Sequence, residues 1–201
     1  MHPRPLLITT VALCATLTLA SCNNSPEAGH PNTAPTSTPP TPTPTAPSTP
    51  AYTPEEQAAI TAATARYRAA RAAIDQVMAN TAASSRAPLE AAGLGGSWLL
   101  AVIGDVRSLR DSGWYQTGST KIASLTVKSV KLDNPQPEVD LVTCIDSSKT
   151  VIRFQSTKKP VPIGASSATR RTFSAKLVFA AAAGSTTKKW FVIDEKGTGP
   201  C

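Results

Sequence analysis

The sequence predicts an α+β domain over residues 53–201, in which two helices lead into a curved antiparallel sheet, held behind a proline-rich tether. Three observations carry this. Apolar residues recur at three- and four-residue steps from Ile60 to Val77 and again from Leu99 to Leu109, the spacing of a helix with one buried face. After Trp114 the pattern changes to two-residue alternation rich in β-branched and aromatic types, divided by Asn-Pro, Ser-Ser-Lys and Gly-Ser-Thr-Thr turn signals. Between Asn23 and Tyr52, by contrast, proline recurs throughout and almost nothing apolar is available to bury.

The first helix opens with several signals together: Thr53 as N-cap, Pro54 at the first helical position, and Glu56 placed to complete a capping box. It should run to about Ala82. Ile60, Ala63, Tyr67, Ala70, Ile74 and Val77 form its buried stripe, and Arg66, Arg68, Arg71 and Asp75 take the wet side. Much of the stripe is alanine, which permits close approach but buries little area per residue. After a broken stretch around Pro88 and Gly93–Gly96, Ser97 is placed to cap a second helix ending at Gly113, with Leu99, Val102, Ile103, Val106 and Leu109 facing inward.

Strands are expected at 114–132, 138–146, 150–155, 171–183 and 188–194. Leu125 and Val127 share one parity while Val130 and Leu132 share the other, so an unbroken strand would turn half of them to water. A bulge or sharp bend near Lys128-Ser129 resolves the conflict. In the last hairpin Phe173, Ala175, Leu177 and Phe179 point one way, and Trp190 with Val192, or Phe191 with Ile193, must meet the same core. Helices followed by bent antiparallel strands imply a sheet wrapped around the first helix.

The N-terminus has the form of an export signal over residues 1–21: Arg4, then an apolar run from Leu6 to Ala20, shorter than the roughly twenty residues a spanning helix needs. Leu19-Ala20-Ser21-Cys22 resembles the lipobox of bacterial lipoproteins. That resemblance implies that Cys22 is alkylated by a diacylglyceryl group and becomes the new N-terminus, with acyl chains such as palmitate holding the chain to the membrane. The alternative is an ordinary cleaved signal that happens to contain Cys14 and Cys22. Residues 22–52 then form a disordered Pro/Thr-rich linker that extends at about 3.1 Å per residue, a tether through an envelope layer that is open to O-glycosylation on its threonines.

Arg4 and Glu27 are the only charged residues ahead of Thr53, so the domain retains the whole formal net charge of +7. The basic pairs Lys158-Lys159, Arg170-Arg171 and Lys188-Lys189 fall at loops or strand ends, where they meet anionic lipid head groups or wall polymers, or are simply solvated. Nucleic acid is disfavoured by the export signal and by the lack of a basic-aromatic motif. Cys144 and Cys201 are the two cysteines of the domain. In an exported chain such a pair reads as a disulfide; two free thiols or a shared metal are the alternatives.

Val142-Thr143-Cys144-Ile145-Asp146 on a middle strand, Arg170-Arg171 before the next, Trp190-Phe191-Val192 and the closing Gly199-Pro200-Cys201 occur in the order seen in the NTF2-like, SnoaL-like lipoproteins of actinobacteria. Over residues 53–201 the chain resembles that family. The resemblance implies a cone-shaped fold with a bent sheet around a long N-terminal helix, and a Cys144–Cys201 disulfide. The alanine-rich stretch Ala180–Ala183 and the lack of a glycine-rich hairpin ahead of Trp190 depart from the family pattern. Similar lipoproteins are carried by actinobacterial phages and prophages.

His2 and His30 both precede the domain, so no histidine-based nucleophile pair or metal site can be assembled within it. No metal and no cofactor are expected, and no catalytic residue is assigned. The chemistry still open is of the ketosteroid-isomerase type, with an aspartate moving a proton beside a tyrosine. Its candidates are Asp105, Asp111, Asp140 and Asp146 with Tyr67 or Tyr115. Asp105 belongs at a pocket mouth or on the wet edge of its helix, and Asp140 and Asp146 share strand parity with Cys144, which favours the outer face. Tyr67, Trp98, Trp114 and Trp190 are read as core or pocket-lining residues. The preferred function is a non-enzymatic, lipid-anchored surface protein on the extracytoplasmic face that binds a protein or a small apolar ligand. The alternatives are superinfection exclusion by a phage-borne lipoprotein, in which an envelope or phage protein is the partner, and an isomerase-type enzyme.

Overall fold

The computed structural model describes residues 52–162, 164 and 168–201. The signal, Cys22 and the tether up to residue 51 lie outside the described residues. Among those described, no helix is long and apolar enough to cross a membrane.

Helix α1 (Pro54–Ala79) begins as the sequence dictates. Thr53 Oγ1 accepts from the Glu56 amide at 3.2 Å, and Glu56 Oε2 accepts from the Thr53 amide at 2.8 Å, a complete capping box that satisfies two otherwise orphaned donors. The helix ends at Ala79, ahead of the expected Ala82. A one-turn helix, α2 (Ala87–Ala91), occupies the broken stretch around Pro88. Helix α3 (Gly96–Asp111) has Gly95 as N-cap. Ser97, expected to cap it, instead donates its hydroxyl to the Ile193 carbonyl at 3.2 Å.

Among the described residues six strands follow: β1 (Trp114–Thr117), β2 (Lys121–Lys131), β3 (Glu138–Asp146), β4 (Val151–Phe154), β5 (Arg170–Ala181) and β6 (Lys188–Pro200). They form two antiparallel sheets, a four-stranded one in the order β2-β3-β5-β6 and a two-stranded one pairing β1 with β4. This corrects the NTF2-like expectation. The class is α+β, but the strands do not make one curved sheet closed into a cone around α1. The cause is local to Gly118, which sits at φ +77° where the β-carbon of any other residue would overlap the Lys149 carbonyl oxygen. No side chain is accommodated there, and the left-handed turn cuts the expected strand 114–132 in two, sending β1 to β4 and β2 to β3. Asp75 on α1 fixes the break by accepting from the Thr120 amide and hydroxyl, each at 3.0 Å.

The main core lies between α1, α3 and one face of the larger sheet. Ala63, Tyr67, Ala70, Val77, Leu99 and Val102 meet Val139, Leu141, Ala175, Leu177, Trp190 and Val192. The alternation of β6 is thereby settled in favour of Trp190 and Val192. The bulge expected near Lys128-Ser129 is present as a register shift between Val127 and Ser129, which keeps Leu125, Val127 and Val130 all partly covered by the core.

The outer edge of β6 is partly closed. Gly93–Gly95 runs beside it in parallel, the Val192 amide donating to Gly93 and the Gly95 amide to Val192 at 2.8 and 2.9 Å. Cys144 on β3 and Cys201, just past β6, form a disulfide, the pairing that the sequence expectation named. Because β5 lies between β3 and β6, the bridge ties next-nearest strands together.

Candidate functional site

Strand β6 does not stop at Asp194 as the sequence suggests; it continues to Pro200, and its irregularity builds the most unusual feature of the core. Leu177 pairs with Val192 and Lys176 with Asp194, which leaves Ile193 without a partner on β5. That extra residue inverts the alternation that follows. Trp190 and Val192 face the helices, and after the bulge it is Glu195, opposite Ala175, rather than Asp194, that points the same way.

Glu195 therefore enters the interior, with its side chain 3% exposed. Its Oε2 accepts from Arg71 Nη1 at 2.9 Å, and its Oε1 accepts from the Tyr67 hydroxyl at 2.6 Å. Tyr67 has one proton to give and gives it to the carboxylate, so the 2.9 Å contact with Thr143 Oγ1 is made by the threonine donating to the phenol oxygen. Arg71, expected on the wet side of α1, is turned inward by this demand and also lies 5.4 Å from the Phe173 ring centroid. Its Nε is buried with no hydrogen-bond partner. Burial pushes the Tyr67 phenol well above its ordinary range, the Glu195 charge adding to the effect. Burial also raises Glu195 above the usual carboxylate range, opposed by Arg71 and by the Tyr67 hydrogen bond.

A pH dependence follows for Glu195. Unfolded, it titrates in the ordinary carboxylate range; folded, it holds its proton to higher pH. Between those two values the folded chain binds more protons than the unfolded one, so stability falls as pH rises through that window. Urea midpoints measured from about pH 4 upward are expected to decline for the wild type across this window and to lack that component in Glu195→Gln. Parallel profiles would contradict the assignment.

Two concave features lie outside this network. A groove of about 1300 Å³ runs between the start of α3 and the outer face of β5–β6. Val178, Ala180, Phe191 and Ile193 form its apolar floor, and Arg86, Lys176, Lys189 and Lys196 contribute cations against Glu90 and Asp194. Leu100 lines it while remaining 62% exposed. A second cleft of about 740 Å³ lies between α1 and the segment joining β1 to β2, bounded by the turn after β3.

The residues singled out from sequence are distributed as follows. Tyr67, Trp98 and Trp190 are core residues, with Tyr67 stacked on Trp98 at 6.5 Å and Trp190 tilted on Phe179 at 5.4 Å. Trp114 is half-buried and meets Phe154 edge-on at 6.3 Å. None of the four lines the groove or the cleft. Lys158, in a left-handed conformation, extends over the Tyr115 ring, and Lys159 is exposed beside it. Arg171 lies opposite Pro200 and Lys188 opposite Ala181, so those two basic pairs occupy opposite ends of one hairpin. Arg170 Nη2 is 3.7 Å from Cys144 Sγ. Lys189 alone of the six lines the groove, its ammonium 5.0 Å from the Phe191 ring. Asp105 and Asp111 are exposed, Asp140 accepts from Ser129, and Asp146 accepts from the Ser148 amide. The structure brings none of them to a tyrosine; the carboxylate that meets one is Glu195.

No family model matches the chain. No curated protein matches either, and membership of the NTF2-like lipoproteins is not upheld because the strands form two separate antiparallel sheets instead of one closed cone. Among solved structures the chain is similar to the crystal structure of the intermembrane space region of chloroplast protein ARC6, at 9% identity and a TM-score of 0.46, over 72% of this chain and 96% of that one. Among the described residues there is no group of three or more histidine, cysteine or carboxylate side chains placed to hold a metal ion.

Proposed function

We propose that this chain is a lipid-anchored binding protein of the extracytoplasmic face, and that its groove takes an apolar polypeptide segment of an envelope protein that carries an acidic residue beside it. The observation that carries the reading is Leu100, a large apolar side chain 62% exposed at the groove beside the floor of Val178, Phe191 and Ile193. An uncovered apolar surface framed by charge is the usual form of a docking site. The groove is open and larger than the roughly 300–1,000 Å³ typical of small-molecule pockets, which favours a chain segment over a small apolar ligand. Arg86 pairs with Glu90, Lys196 with Asp194 and Lys176 with Glu138, which leaves Lys189 as the cation of the lining without a carboxylate partner among the described residues and favours an acidic residue on the ligand opposite it. The anchor rests on the Leu19-Ala20-Ser21-Cys22 sequence. Binding rather than catalysis is supported by the use made of Tyr67 and Glu195: both are buried and bonded to each other.

Two measurements on the full chain in cells test it. Palmitate label is expected in the wild type and absent from Cys22→Ala; equal label would remove the anchor. A photo-crosslinking residue at Leu100 is expected to give a discrete polypeptide adduct that is lost in Ile193→Asp and not formed from Ala123, an exposed position on β2. No adduct, or the same adduct from Ala123, would overturn the groove assignment.

A further inference from the structure

We propose that the cleft between α1 and the β1–β2 connection is a binding site for a phosphate ester, separate from the groove. Its lining mixes Arg68, Arg71, Lys121 and Lys149 with two carboxylates, Asp75 and Asp146. Those carboxylates are engaged with neutral donors. Asp75 accepts from Gln116 Nε2 at 3.1 Å and from the Thr120 amide and hydroxyl, which makes it a fastening of the cleft wall. Asp146 accepts from the Ser148 amide at 2.9 Å, and its hydrogen bonds to the Ser148 hydroxyl and then to that amide, ahead of the nearby Arg170 and Lys121 charges, hold it below the usual carboxylate range. Arg71 is committed to Glu195.

Arg68, Lys121 and Lys149 remain. Lys121 lies across the strand pair from Asp146 and feels its charge, while Arg68 and Lys149 form no ion pair or side-chain hydrogen bond with another described residue; the three reach one cleft from three elements: α1, the start of β2 and the turn after β3. The Ser119 hydroxyl and the Gln76 amide, on the same lining, make no side-chain hydrogen bond to another described residue, whereas the Ser148 hydroxyl is engaged with Asp146. Arg68 and Lys149 uncompensated, Lys121 shared with Asp146, and the unused donors of Ser119 and Gln76 around one concavity match an anion with several acceptor oxygens presented in different directions. A tetrahedral phosphate ester has that form; a monocarboxylate presents two coplanar oxygens and engages fewer of them. The volume of about 740 Å³ accommodates the ester with the alcohols attached to it. Such an ester comes either from an anionic lipid or from a soluble or polymeric phosphodiester.

The test is calorimetric titration of the full lipidated chain in neutral detergent. The probes are glycerophosphoglycerol, dihexanoyl-phosphatidylglycerol below its micellar concentration, and dihexanoyl-phosphatidylcholine and acetate as controls. Binding of both glycerol phosphodiesters with similar affinity supports recognition of the ester itself, and tighter binding of the acylated probe assigns the lipid source. Arg68→Gln, Lys121→Gln and Lys149→Gln are each expected to weaken binding about five- to tenfold with unchanged melting temperature, and Ile193→Asp in the groove to leave it unaltered. The proposal is overturned if neither phosphodiester binds up to about 10 mM, if phosphatidylcholine or acetate binds equally well, or if the three substitutions have no effect.

Discussion

Glu195→Ala is expected to destabilise the domain by about 3–5 kcal/mol, the range for breaking a buried ion pair from one side. The cost arises from what is left behind. Arg71, its side chain 14% exposed, would retain a desolvated charge whose Nε already lacks a partner, and Tyr67 would lose the acceptor that now takes its proton at 2.6 Å. The loss is a property of the pair, so Arg71→Met combined with Glu195→Ala should be less damaging than the carboxylate truncation alone. Chemical denaturation of the two variants measures this. A Glu195→Ala loss below about 1 kcal/mol would place the pair among solvent-screened ion pairs and refute the account.

Cys201→Ala is expected to cost about 4 kcal/mol in the chain-entropy argument, from the sequence separation of 57 residues that the bridge closes. The same loss should appear when the wild type is reduced, and reductant should then leave the variant's urea midpoint unmoved. A variant as stable as the oxidised wild type would show that the bridge restrains little of the unfolded chain.

How much of this was legible in the sequence depended on whether a signal was local. Thr53, Pro54 and Glu56 form a cap within four residues, and the parity conflict between Val127 and Val130 demands a bulge whatever the tertiary fold. Cys144 and Cys201 pair as expected. Glu195 was not legible: in Asp194-Glu195-Lys196-Gly197 the polar run reads as the end of a strand, and which acid turns inward is decided by Ile193 bulging against β5, a long-range event. Arg71 was read as solvated for the same reason, since its partner lies 124 positions away. The cone failed at Gly118, where one left-handed residue against the Lys149 backbone divides a continuous β-rich stretch between two sheets. The groove arises from outward-facing residues that ordinary strand alternation presents as solvent-facing.

The parallel contact of Gly93–Gly95 with Val192 also bears on behaviour at high local density. A four-stranded sheet has two lateral margins at which a stranger's backbone can add itself and begin an aggregate. On the β6 side that short glycine-rich segment occupies the amide and carbonyl of Val192, and Ile193 and Thr198 interrupt the regular spacing further along. On the β2 side the margin carries Lys121, Lys128 and Lys131 and two breaks in register. Neither border offers a long uniform template, so copies crowded together on one surface would resist fusing strand to strand.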